Sequence, residues 1–168
     1  LYKIPEECKQ FDAIICEPVS VSSPKFMKIL KHGFKNLLKD PSIIINQKKQ
    51  TVKLHFDMCH GHGIIDLAID VMHSKDKEDF KKFIYNSISY NPHIVFISKP
   101  NIANRWFSDL FSWLDNCEKI IGFKELKGYN KRIYAYLAER YLSFWFKKYT
   151  NSIDWPLVFI DMERSTTY

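Results

Sequence analysis

The chain has 168 residues, 46% hydrophobic and 15% aromatic, enough for one ordinary domain with a real core and too apolar for default disorder. A formal charge of +6 suits nucleic acid, anionic lipid or phosphate-bearing substrates, and no run approaches the roughly 18 apolar residues of a membrane span. Cys8, Cys16, Cys59 and Cys117 stand far apart with no Cys-x-x-Cys pair, which argues for free thiols in a reducing, cytoplasmic setting rather than a disulfide scaffold.

In chain order, Asp12-Ala-Ile-Ile-Cys-Glu-Pro18 reads as a short buried strand stopped by proline, and Ser22-Ser-Pro24 opens a helix that runs to about Lys39. That helix turns Phe26, Leu30, Phe34, Leu37 and Leu38 one way and Lys28, Lys31, Lys35 and Lys39 the other. The basic face from Lys25 to Lys39 is either a solvated surface or a peripheral membrane contact. After Asp40-Pro41, residues 43–54 read as a strand with a lysine-rich middle. Gly61 and Gly63 punctuate the chain before helices over about 64–73 and 75–87, the second with Phe80, Phe83 and Ile84 on one side. Asn91-Pro92 then turns the chain into His93-Ile-Val-Phe-Ile97, the clearest strand and the one expected at the centre. Ser98-Lys-Pro-Asn101 caps a long helix carrying Trp106, Phe107, Leu110, Phe111, Trp113, Leu114 and Cys117.

From Arg132 to Tyr149 apolar and aromatic residues recur at helical steps around most of the circumference, so the charged pair Glu139 and Arg140 is expected to be buried or half-buried, with Glu139 largely buried and bonded to Arg132, Arg140 or a backbone donor. A last short strand is expected over 156–161. Helices outnumber the strands and separate them, which gives a helix-rich α/β class. The chain opens on Leu1 and closes on Glu163-Arg-Ser-Thr-Thr-Tyr168 without a packing pattern, so it reads as part of a longer polypeptide, with one domain over 1–161 and a tail over 162–168.

A second concentration of chemistry is His55-Phe-Asp57-Met-Cys59-His60-Gly-His62-Gly-Ile-Ile-Asp66, expected to be a polar loop lining the functional cleft. A zinc or other transition-metal site is one alternative for this cluster, although its spacing fits neither His-x-x-x-His on one helix nor paired Cys-x-x-Cys. Gly61 to Gly63 would present backbone N–H groups to an anion at a helix start, with the histidines and Asp66 binding hydroxyls or moving a proton. A histidine-rich loop closed by local hydrogen bonds is another.

Several of these segments resemble a bacterial family of capsule and lipopolysaccharide glycosyltransferases with a GT-A-like fold, long catalogued as a domain of unknown function. The resemblance rests on His60-Gly-His62 with Ile65-Asp66-Leu67, on the strand from Asn91 to Lys99, on Phe107-x-x-x-Phe111-x-Trp113-Leu114 with Glu118, and on Arg132-Ile-Tyr-Ala-Tyr-Leu-Ala-Glu139-Arg140 with Trp145. It spans roughly 50–150 and matches the later part of that domain. The family's strand usually reads Asn-Met-Phe-Ile, shorter than here, and its opening strand and His-Tyr-Arg-Arg segment have no counterpart in this chain.

The resemblance implies a GT-A-like domain or its C-terminal half that moves a sugar, hexosyl in type, from a nucleotide-diphosphate donor to a glycan or lipid-linked acceptor of a surface polysaccharide. On that reading Asp66 or Glu139 is the base, Arg132 and Arg140 meet phosphate or form ion pairs, and His60, His62 and Asn91 bind substrate. A divalent cation, Mg or Mn, would be held mainly by residues outside this chain, because no Asp-x-Asp triplet is present. The protein would work in the cytoplasm, at the inner face of the membrane where Lys25 to Lys39 touch it, without nucleic acid as a partner. Two other classes stay open from the residues: a non-catalytic interaction or membrane-docking domain of a larger enzyme, and a basic nucleic-acid-binding or nuclease module.

Overall fold

A computed structural model describes residues 5–22, 26–123 and 126–158. It is helix-rich with two small sheets, an α/β arrangement. The first strand, β1 (Ala13–Cys16), follows the apolar run read from the sequence, and β2 (Val19–Ser20) comes after Pro18. Helices α1 (Phe26–His32) and α2 (Phe34–Lys39) are followed by 3₁₀ turns over Pro41–Ile44 and Gln47–Lys49, then by α3 (Val52–His60), α4 (Ile64–Asp70) and α5 (Ser74–Asn86). Strands β3 (Ser89–Tyr90) and β4 (Phe96–Ser98) lead into the long α6 (Pro100–Ile121), and α7 (Ile133–Tyr149) and β5 (Ser152–Trp155) close the fold.

The main sheet has the order β4-β1-β5, with β1 antiparallel to β4 and parallel to β5. The centre is therefore β1, and the strand expected to be central is an edge. It is also displaced, because His93 adopts a positive φ of 64° and the extended run begins only at Phe96. Among the described residues the last strand is Ser152–Trp155, and residues 156–158 of the strand expected over 156–161 lie outside any ladder. Pro24, residues 159–161 of that expected strand and the tail over 162–168 lie outside the described residues.

Helix α7 forms the axis of the core. Its seven consecutive residues Arg140 to Phe146 are all buried, which a helix achieves only when neighbours cover its whole circumference. Helix α6 packs on it through the stripe Trp106, Leu110, Trp113 and Cys117, and α5 through Phe80 and Ile84. Two tryptophans satisfy their indole N–H groups, Trp113 Nε1 donating to the Ala68 carbonyl at 2.7 Å and Trp145 Nε1 to Asp109 Oδ2 at 2.8 Å, whereas buried Trp106 Nε1 has no partner among the described residues. Asn91, fully buried, binds the sheet to this axis. Its Nδ2 donates to the Cys16 carbonyl of β1 and to Asp154 Oδ1 of β5, while its backbone N–H donates to Ser143 Oγ of α7.

Two expectations for the first half fail for identifiable reasons. The helix over the N-terminal lysines is broken at Gly33, where an added Cβ would stand 2.9 Å from the Ile29 carbonyl oxygen and 3.1 Å from Met58 Sδ. The break leaves Phe34 and Leu38 in solvent instead of in a core. Residues 43–54 form turns and the start of α3 rather than a strand. Asp40 and Asn46 accept hydrogen bonds from the backbone two residues on, at Ser42 and Lys48, and so set local turns in place of a ladder. Among the described residues no helix is long and apolar enough to cross a membrane.

Candidate functional site

The segment from His55 to Asp66 is not a loop. Its first half is the C-terminal part of α3, started by Thr51, whose side chain accepts from the Leu54 N–H. Gly61 (φ 115°) and Gly63 (φ 83°) then turn the chain sharply into α4, in backbone regions that side chains rarely adopt. Helix α3 has two apolar faces. Val52 and Phe56 enter the main core, while Leu54 and Met58 join Ile29 and Ile43 in a small separate one. Its polar residues fall between these faces and feed two neighbouring sites.

The larger site is a cleft of about 910 Å³ between the α2 and 3₁₀-turn segment on one side and α3, α4 and the end of α5 on the other. Five lysines line it, Lys35, Lys39, Lys48, Lys49 and Lys53, against three aspartates, Asp40, Asp57 and Asp66. Lys49 is held by Asp40 Oδ2 at 2.6 Å, and Lys53 lies 2.6 Å from Asp57 and 3.1 Å from Asp66. Lys35, Lys39 and Lys48 make no ion pair with the described residues, so the cleft presents uncompensated positive charge. Buried Asp57 also accepts from Asn36 at 3.1 Å, which leaves it saturated with donors. Two cleft carboxylates have side chains 38% exposed, Asp40, which is paired with Lys49, and Asp66, which accepts from Tyr85 Oη at 2.7 Å. Burial and that carboxylate push the Tyr85 phenol well above its usual range, so it remains a donor. His62 lines the same cleft, with Nε2 3.2 Å from the His32 carbonyl, to which it can only donate.

The second site is organised by Arg140, whose side chain is 1% exposed, whereas that of Glu139 is 20% exposed. The arginine, not the glutamate, is the deeply buried member of the pair. Nη1 donates to Glu139 Oε2 at 2.8 Å and to the Tyr136 carbonyl, Nη2 points at His55 Nδ1 (3.2 Å) and His60 Nε2 (3.4 Å), and the guanidinium lies over the Tyr90 ring. A guanidinium is an obligate donor, so both imidazole nitrogens facing it accept. Burial first, and then Arg140, lower His55 to about 4 and His60 to about 3, so both rings are neutral near neutrality. The tautomers follow from this network. His55 carries its proton on Nε2, 3.7 Å from Cys59 Sγ, and cannot take the thiol proton without becoming a second cation beside Arg140. Cys59 and His55 are therefore not a nucleophile–base pair. His60 carries its proton on Nδ1, a buried donor with no acceptor among the described residues. His60 lines a shallow recess of about 420 Å³ that adjoins the cleft through Lys35, Asp57 and His62.

The fold thus gathers Asp66 and His62 in the cleft, and His60, Arg140 and Glu139 around the buried guanidinium. Arg132 is exposed and stacks over Tyr136 at 5.7 Å instead of reaching Glu139, although the two share a helical face by spacing. Asn91 serves the strand clasp and is closed to solvent. The cleft lysines escaped sequence reasoning because they come from two segments, one read as an exposed face and the other as a strand. Their only signal was lysine density on both sides of Asp40-Pro41. Among the described residues no group of three or more His, Cys, Asp or Glu side chains is placed to hold a metal ion, so these residues do not fit a cation as a resident group.

Residues 17–151 match the family described as a domain of unknown function (DUF4422), and the chain belongs to that family. No curated protein and no solved structure matches it.

Proposed function

We propose that this DUF4422 member is a glycosyltransferase with a GT-A-like fold, using a nucleoside-diphosphate sugar as donor and a glycan or lipid-linked hydroxyl as acceptor. The observation that carries the proposal is the cleft in which Lys35, Lys39 and Lys48, unpaired among the described residues, stand with two exposed carboxylates, of which Asp66 at the start of α4 is taken as the base and Asp40 holds Lys49 in the turn segment. Transfer of a glycosyl group needs positive charge to accept the departing diphosphate and a base to take the acceptor proton. The acceptor oxygen forms a bond to the anomeric carbon, the bond from that carbon to the β-phosphate oxygen breaks, and the nucleoside diphosphate leaves with the electron pair. The acceptor proton passes to Asp66, held in place by Lys53 and Tyr85. Lysines take the diphosphate role in preference to Arg140, which is enclosed by its own partners, and Asp66 takes the base role in preference to Glu139, which is committed to Arg140.

The test is titration of the intact protein with a panel of uridine and guanosine diphosphate hexoses, followed by nucleoside-diphosphate release with polysaccharide or lipid-linked acceptors. Lys39→Gln combined with Lys48→Gln is expected to weaken donor binding about 10-fold or more, through loss of charge-assisted contacts. Asp66→Asn is expected to leave donor binding in place and to lower turnover roughly 100-fold or more, the scale of a lost general base. Failure of every donor to bind, or an Asp66→Asn protein with full turnover, overturns the assignment.

A further inference from the structure

We infer that the surface of residues 27–48, on which Met27, Phe34, Leu38, Ile44 and Ile45 are exposed, docks onto an anionic lipid bilayer. All five side chains are exposed, Leu38 at 68% and Ile45 at 87%. Phe34 and Leu38 lie one turn apart on α2, so they project together. Around them Lys28, Lys31, Lys35, Lys39 and Lys48 are all exposed and make no ion pair with the described residues. Between Glu17 and Asp40 the chain contains no acidic residue, and Asp40 is itself occupied by Lys49. Nothing within this face neutralises it.

The partner's chemistry follows from two features of this surface. Phe34 borders the recess and Leu38 the cleft, while Met27, Ile44 and Ile45 line neither, and exposed apolar side chains of this kind, interspersed along the chain with lysines, enter the boundary between headgroups and acyl chains one by one. The lysines at their flanks match a surface of negative headgroups, each adding attraction that falls within a Debye length and is therefore sensitive to salt. A second copy of this chain would bring the same unneutralised lysines and repel. Leu38, Lys35 and Lys39 also stand at the margin of the cleft, so docking sets the cleft mouth at headgroup level. The surface stands independently of the sugar-transfer reading, because vesicle binding needs neither donor nor acceptor.

The test is cosedimentation of the intact protein with vesicles of phosphatidylcholine alone and of phosphatidylcholine mixed with phosphatidylglycerol. Binding is expected only to the mixed vesicles and is expected to weaken as salt rises. Phe34→Ser with Leu38→Ser is expected to reduce partitioning roughly 10-fold or more at an unchanged melting temperature, as removal of inserted apolar area requires. Lys28→Glu with Lys31→Glu, two fully surface positions, is expected to reduce it comparably and controls for any folding defect in the first variant. The inference is overturned if the mixed vesicles are not bound, or if binding survives the Phe34 and Leu38 substitutions and so reflects net charge alone. Self-association that these substitutions dissolve would identify a second copy as the occupant and would also overturn it.

Discussion

The body around α7 and the cap formed by α1, α2 and the 3₁₀ turns differ in how they are held. In the body, side chains from β1 and from five helices, α3 to α7, meet in one continuous core in which Trp106, Trp145, Phe80 and Phe146 are closed to water. Among the described residues the cap's apolar fastening is four buried side chains, Ile29, Ile43, Leu54 and Met58, two of which belong to α3, with buried Gln50 donating to the Ile43 carbonyl beside them. Each such apolar side chain supplies at most about 1.5–3 kcal/mol. The cap is therefore the first part of the molecule to open locally, while the body unfolds only globally. The cleft lies on the seam, taking Lys35, Lys39, Lys48 and Lys49 from the cap and Asp57, Asp66 and Tyr85 from the helices of the body. A ligand bridging the two would stiffen the cap and leave the body as it was.

The sharpest way to break this comparison is a matched pair of truncations. Trp145→Ala is expected to lower global stability by about 4 kcal/mol in denaturant unfolding, because it empties the centre of the core. Ile29→Ala is expected to cost about 2 kcal/mol felt mainly in the cap, seen as roughly 30-fold faster amide exchange in α1 and α2 with little change in α7. If exchange in α7 accelerates equally, cap and body are a single cooperative unit.

Next in size is Glu139→Gln. It leaves the buried Arg140 charge without its carboxylate and is expected to cost about 3 kcal/mol by thermal or urea unfolding, at the low end for broken buried pairs because the amide oxygen still accepts. A Glu139→Gln protein as stable as the parent would mean that His55, His60 and the Tyr90 ring suffice to hold the guanidinium.

Absent at neutral pH and growing only as pH falls, a further effect is directed at the helix shared by both regions. His55 and His60 have folded pKa values of about 4 and about 3, below the unfolded 6.5. Above the unfolded value neither ring is charged in either state and stability is unaffected. As pH falls below it the unfolded chain takes up protons that the native state refuses. Stability is then lost down to about pH 4, by up to about 1.4 kcal/mol per pH unit for each ring. Urea unfolding between about pH 7 and pH 5 reads this slope, and His55→Gln with His60→Gln is expected to flatten it. A slope unchanged in that double variant would place the acid sensitivity elsewhere.

What the sequence disclosed divides along the same seam. Helices α6 and α7 were legible because their apolar residues recur with one helical period against one core, and Trp113 and Trp145 are buried as that period requires. Helix α3 was not, because Val52 and Phe56 serve one core and Leu54 and Met58 another, so no single stripe marks it. Its polar residues, followed by Gly61 and Gly63, then looked like a loop. In the cap, Gly33 falls inside an apolar and lysine pattern that reads as one continuous helix to about Lys39, although close backbone approach makes it the break. Asp66 and the histidines were conspicuous by type. Their sorting into an open cleft and a closed arginine cluster depends on packing between segments far apart in the chain, which local spacing does not encode.

The position of β1 also has a consequence for the order in which the protein comes into being. Its neighbours are residues 96–98 and 152–155, so the central strand is made first of the three and its parallel partner last of the three. During synthesis, at roughly 5–20 residues per second, β1 waits on the order of ten seconds for β5 to emerge. Throughout that interval it keeps an unsatisfied backbone edge flanking Ile14 and Ile15. The Asn91 clasp, which needs Cys16, Ser143 and Asp154 together, cannot close before β5 arrives. The nascent chain is thus most exposed to wrong pairing just when its helices are already built.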